Sequence, residues 1–155
     1  MDVARVWAAA PEHAAVVGRL LFDFNTEFRT ATPAPAELGR RFVRLLGRGD
    51  VVVLLTGPAD DPTGFAFLTL RPTPYHDGPL AQLEELYVRP HLRDRGLGTA
   101  LLEAAIAAVE ERGAREVHIG VDEVDTDTRR FYERHGFTNI EIGQDYRMLL
   151  YLREL

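Results

Sequence analysis

The stretch Arg93-Asp94-Arg95-Gly96-Leu97-Gly98, with Thr99 behind it, constrains this chain more than any other. It joins a strand-like run, Leu83 to Val88, to a strongly helical one, Leu97 to Arg112. Glycines at such a junction let the backbone bend tightly and let a ligand approach the main chain. The start of the following helix offers unpaired N–H groups and a partial positive charge. Strand, glycine turn and helix in that order make an anion cradle, most naturally for a phosphate or pyrophosphate. As a dinucleotide fingerprint the turn fails, because Gly96-Leu97-Gly98-Thr99-Ala100-Leu101 lacks the third glycine.

Three absences narrow the chemistry. The chain contains no Cys, no Ser and no Lys, and all 18 basic residues are Arg. That removes disulfides, cysteine zinc sites and thiolate nucleophiles. It also removes the serine-hydrolase triad, the lysine of a nucleoside-triphosphate loop and Schiff-base catalysis. Five histidines (His13, His76, His91, His118, His135) show no paired metal-ligand spacing, so no metal is expected. The net charge of −6 argues against nucleic acid as a partner and suits a cationic small molecule better. No apolar run is long enough to span a membrane and no cleavable signal is evident, so a cytoplasmic location without membrane association is expected.

A length of 155 residues is expected to form one domain over residues 1–155. Strands are expected at Val3–Ala8, Val51–Thr56, Gly64–Leu70, Leu83–Val88, Glu116–Val121, Phe137–Ile142 and Tyr146–Leu152. A helix opening at Pro11 carries Val17, Leu20, Leu21, Phe24 and Phe28 at helical spacing, which predicts one buried face. Further helices are expected at Glu37–Leu46, Leu97–Arg112 and Asp125–His135. The order implies a mixed α/β domain with four helices against a central sheet of about six to seven strands.

A second constellation, Arg130-Phe131-Tyr132-Glu133-Arg134-His135-Gly136-Phe137, follows about forty residues after the glycine turn. Gly136 is a suitable helix stop, and Phe137 is placed to pack back on Phe131 or Tyr132. Together with Leu83-Glu84-Glu85-Leu86-Tyr87-Val88 and Arg93-x-x-Gly96-x-Gly98, it resembles the GNAT superfamily of acetyl-CoA-dependent N-acetyltransferases. The resemblance covers nearly the whole chain in element order and implies a mostly antiparallel sheet. It implies that backbone amides from Arg93 to Thr99 hold the pyrophosphate of acetyl-CoA, the co-substrate. It further implies that the Leu86-Tyr87-Val88 edge pairs with the pantetheine arm, which carries two amides.

Tyr132 matches the family position of a tyrosine proposed to protonate the departing thiolate. A phenol with a pKa near 10 is a sensible donor to a thiolate whose conjugate acid is near 8.5. Glu84 matches a strand position where some relatives place a carboxylate base. Glu85 points to the opposite face by alternation, and a bulge would exchange which of the two faces the cleft. Glu84 is the first choice as base, although both also read as solvated edge carboxylates. Asp125 stands seven residues before Tyr132, where many relatives have an asparagine reaching toward the pantetheine. As an N-cap Asp125 serves well, but an ionised carboxylate cannot donate the amide's hydrogen bond.

The expected reaction is direct acetyl transfer to a primary amine in a ternary complex. The first two helices (Asp23, Phe24, Glu27, Phe28) and the Pro72–Pro79 loop are expected to line the acceptor pocket. Their acidic residues favour a small cationic amine such as a polyamine, an aminoglycoside or an amino-acid derivative. A protein or peptide N-acetyltransferase and a non-catalytic acyl-CoA-binding sensor stay open as alternatives, as does a homodimer.

Overall fold

The structure, a computed structural model, describes residues 5–155. The expected strand positions Val3 and Ala4 lie outside the described residues. Contacts divide the chain into two compact units, one ending at His118 and one comprising Ile119–Leu155.

The first unit is built on five strands in sequential order: β1 (Val6–Ala8), β2 (Val51–Thr56), β3 (Gly64–Arg71), β4 (Leu80–Val88) and β5 (Val117–His118). Neighbours are antiparallel from β1 to β4, and β5 runs parallel to β4. The mixed, mostly antiparallel character therefore agrees with expectation. The strand count among the described residues is five, not six to seven.

Every residue of β2 is buried, which requires cover on both faces of the sheet. On one face Val51, Val53, Leu55 and Phe65 pack with Ala14, Val17 and Leu20 of α1 (Ala14–Glu27) and Phe42 of α2 (Pro35–Leu46). The alternate residues Val52, Leu54, Ala66 and Leu68 are buried on the opposite face. There α3 (Leu97–Glu111) contributes Leu101, Leu102, Ala105 and Val109, all buried. α1 and α2 meet backbone to backbone, since a Cβ on Gly18 would lie 2.6 Å from the amide nitrogen of Gly39. The expected buried stripe of α1 holds for Val17 and Leu20 but not for Phe28. Phe28 caps the helix end and is 53% exposed, because the last turn extends past the sheet's apolar cover.

β5 is shorter than the Glu116–Val121 expected. It pairs only at Ala81–Val117 and Gln82–His118, and directly beyond that point β4 enters a bulge that bends it.

In the second unit, α4 (Thr126–Arg134) begins where Asp125 Oδ1 accepts from the amide of Thr128 (3.3 Å). It ends as anticipated: Gly136 adopts φ +88°, the Phe137 amide donates to Tyr132 O (3.0 Å), and the Phe137 and Tyr132 rings meet edge to face. The closing strands expected at Phe137–Ile142 and Tyr146–Leu152 do not form. Thr138 Oγ1 bonds both the amide and the carbonyl of Ile140, and a turn at Glu141–Gln144 with Gly143 at φ +86° uses the adjacent groups. Such local side-chain bonds compete with a ladder. Residues 146–152 have strand-forming composition but no partner strand within this unit.

Candidate active site

The carboxylates of β4 owe their placement to one irregularity. Phe67 of β3 pairs with Glu85, but the next residue, Leu68, pairs with Leu83, leaving Glu84 as an extra residue in β4. Phe67 lies on the sheet face covered by α1 and α2, as does Thr69 two residues on. Glu85 is therefore on that face opposite Phe67, and Glu84 accepts a hydrogen bond there from Thr69 Oγ1 (2.7 Å). Simple alternation, which puts the two glutamates on opposite faces, is corrected: the bulge turns both to the same side. Glu84 is exposed and Glu85 half-buried. Burial, and then the neighbouring Glu84 charge, raise the Glu85 pKa from 4.5 to about 7.

Past the bulge, the Arg89 amide donates to Thr63 O (2.9 Å). Antiparallel alternation then makes Tyr87–Phe65 the next bonded pair and turns the N–H and C=O of Leu86 and Val88 to the other edge. No strand among the described residues pairs with that edge beyond Gln82. Leu86 and Val88 thus carry the outward backbone groups, whereas those of Tyr87 face into the ladder.

The Tyr87 side chain instead faces α1. Its ring stacks on Phe24 (4.8 Å) and its hydroxyl donates to Glu27 Oε1 (3.2 Å). Burial, followed by the Glu27 charge, raises its pKa. Arg93 closes this wall. Its Nη1 and Nη2 donate to Glu27 Oε2 and Oε1 (2.7 and 2.9 Å), and its Nε donates to Val88 O (3.0 Å). The guanidinium lies over the rings of Phe28 and Tyr87. One helical turn earlier, Asp23 accepts from Arg89 Nη1 (3.0 Å). The side chain of Arg93 is thus engaged with α1. Both acids expected to attract a cation, Asp23 and Glu27, are already matched by arginines. Arg89 escaped the sequence reading, although a signal existed: two acids four apart on a helix and two arginines four apart after a strand.

The glycine turn takes the anticipated form. Asp94 (φ +60°) and Gly96 (φ +82°) are both left-handed, and a Cβ at Gly96 would meet nothing within 4 Å. The first α-helical bond of α3 runs from the Ala100 amide to Gly96 O (3.0 Å), so the amides of Leu97 and Gly98 precede the helical ladder.

In the second unit Tyr132 is buried, with its ring edge-on to Phe131 (5.2 Å) and Phe137 (5.4 Å). Asp125 is committed to its cap. The Pro72–Pro79 loop borders a cleft of about 410 Å³ with Gly49, Asp50, Leu70 and Arg71, and no α1 residue lines it. His76 in that loop lies 3.8 Å from Glu116. Among the described residues no group of three or more His, Cys, Asp or Glu could hold a metal ion, and no helix is long and apolar enough to cross a membrane.

The chain is similar to a crystallised protein from Arthrobacter sp. FB24, provisionally described as an acetyltransferase. The two share 49% identity and a TM-score of 0.92, with 100% of this chain and 98% of that one covered. An aminoglycoside acetyltransferase from an uncultured soil metagenomic sample shares the fold at 19% identity and TM-score 0.80, covering 97% and 95% of the two chains. Over 71 residues the chain is 39% identical to a mycothiol acetyltransferase of Thermobispora bispora. That match covers 46% of this chain and 24% of the relative, so the chain spans about a quarter of that protein's length. The family profile described as acetyltransferase (GNAT) family matches residues 17–137. The chain belongs to the GNAT acetyltransferase family.

Proposed function

We propose that the protein moves an acetyl group from acetyl-CoA to the primary amine of a small molecule. The observation that carries this is the succession along β4: a carboxylate poised near neutrality at Glu85, outward backbone groups at Leu86 and Val88, then the open glycine turn at Gly96. The amides from Arg93 to Thr99 receive the pyrophosphate, and the Leu86–Val88 edge receives the pantetheine amides.

An amine with a pKa of about 10.4 is almost wholly protonated at neutral pH and must lose a proton before it attacks. Glu85 is the better base of the β4 pair, since Glu84 is exposed and bonded to Thr69. The freed nitrogen attacks the thioester carbonyl carbon, the C–S bond breaks, and the thiolate takes a proton. The family resemblance assigns that proton to Tyr132. Asp23 and Glu27 are neutralised in place, so the acceptor is selected by fit to the Phe24–Phe28–Tyr87 wall more than by those two charges.

Thiol release from acetyl-CoA across a panel of amines tests the activity, and the cysteine-free chain adds no background. Calorimetry showing no acetyl-CoA binding would overturn it. Tyr132→Phe is expected to lower kcat by about 10²-fold or more with little change in acetyl-CoA affinity. Equal loss of both would remove the acid role.

A further inference from the structure

Glu27, the last residue of α1, is bound on two sides at once. Its Oε1 accepts from the Tyr87 hydroxyl and from Arg93 Nη2, and its Oε2 accepts from Arg93 Nη1. The same guanidinium gives its Nε to Val88 O. One ion pair therefore joins the end of α1, the outward edge of β4 and the turn that begins at Arg93. Two N–H groups matched to two carboxylate oxygens fix position as well as contributing energy. Local preference does not explain the exit from α1. Arg29 stands at φ +55°, where glycine or asparagine is usual after a helix. The amides of Phe28, Arg29 and Thr30 nevertheless bond back to Phe24 O, Thr26 O and Asn25 O. The contact made by Glu27 is what holds this end in place against the site.

We infer that Glu27 is a positioning residue that couples the two sides of the site: a cofactor on the glycine turn orders the Phe24–Phe28–Tyr87 wall through Arg93. The inference rests on the acetyl-transfer reading. A pyrophosphate on the amides of Leu97 and Gly98 fixes the backbone that carries Arg93. Three of the five guanidinium donors are already committed to Glu27 and Val88, so the side chain stays with α1 while backbone amides take the anion. Order gained at the turn then reaches the helix end. By linkage, an acceptor that orders the wall favours the cofactor by the same factor. The neighbouring Asp23–Arg89 pair does not make this connection, because Arg89 Nε bonds Pro62 O and no group of the turn.

The test is amide hydrogen exchange of the full chain with and without saturating CoA, the thiol form, which binds without turning over. In the parent the amides of Leu97 and Gly98 are expected to slow. Those of Phe28, Arg29 and Thr30, across the ion pair, are expected to slow with them by about 5-fold or more. In Glu27→Gln, which keeps the shape and removes the charge, CoA should still slow the turn but slow residues 28–30 by about 2-fold or less. A merely structural pair would speed exchange in the variant equally with and without CoA, and that unchanged ratio overturns the proposal. So does a parent in which the turn slows and residues 28–30 do not. Faster exchange at 28–30 on adding CoA overturns it too, since Arg93 would then have left Glu27 for the anion. No slowing at either place, with no heat of CoA binding, overturns the acetyl-transfer reading and this proposal with it. The parent alone decides the matter where the variant fails to fold.

Discussion

Replacing Glu85 by Gln keeps the shape of the side chain and removes its charge, so its effect on stability must depend on pH. The carboxyl titrates at about 7 in the folded chain and at 4.5 as the ordinary value. Below the lower value both states hold the proton and Glu85 contributes nothing to the difference. Between the two values the folded state holds more protons than the unfolded one, so stability falls as pH rises, and above about 7 the loss is complete. At about 1.4 kcal/mol per pH unit, the gap corresponds to a ceiling of about 3 kcal/mol. Glu85 is only half-buried, and solvent screening reduces this to about 1–2 kcal/mol. Glu85→Gln should therefore be about 1–2 kcal/mol more stable than the parent at pH 8 and nearly equal to it at pH 4. Urea unfolding at both pH values, with an unchanged slope, measures this directly. The parent is expected to show an acidic limb of kcat/KM below about pH 7, and the same variant should lose it. A stability difference independent of pH, or a variant less stable at pH 8, would refute the account of Glu85 as a carboxylate raised by burial and by Glu84.

Two further outcomes follow from the packing of α1. Gly18→Ala places a methyl 2.6 Å from the Gly39 amide nitrogen, where only backbone could yield, and should cost about 1–3 kcal/mol in urea unfolding. Full stability would mean that the helices separate freely. A double-mutant cycle of Glu27→Gln and Arg93→Met should give a coupling of about 0.5–1 kcal/mol, modest because the pair is partly exposed. Zero coupling would show that α1 and the glycine turn are not held together by this pair.

Features encoded locally were legible in the sequence. Gly96 needs a left-handed backbone, Asp125 caps the helix it precedes, and Gly136 with Phe137 ends it, each within a few residues. β2 and β3 were legible within a residue of their ends because apolar, β-branched runs are bounded by turn formers. What was not legible depends on distant partners. Whether Glu84 or Glu85 is the extra residue is decided by the register against Phe67 and Leu68, which no local pattern carries. The Glu27–Arg93 and Asp23–Arg89 pairs each bridge 66 residues, so no local pattern joins either acid to its arginine. Residues 146–152 show the converse: composition announces a strand but does not say what it pairs with.

The bulge also sets the phase of β4. Upstream of Glu84 the strand presents Gln82 to the helix-α1 side and Leu83 to the helix-α3 side, and downstream it presents Tyr87 to the first and Leu86 to the second. One residue keeps these two halves in step with β3. A family member that lost it would have to exchange the facings of Leu86, Tyr87 and Val88 all at once, or slide the whole turn toward Gly96. Length at this point of the chain should therefore be guarded more strictly than the identity of any single side chain in it.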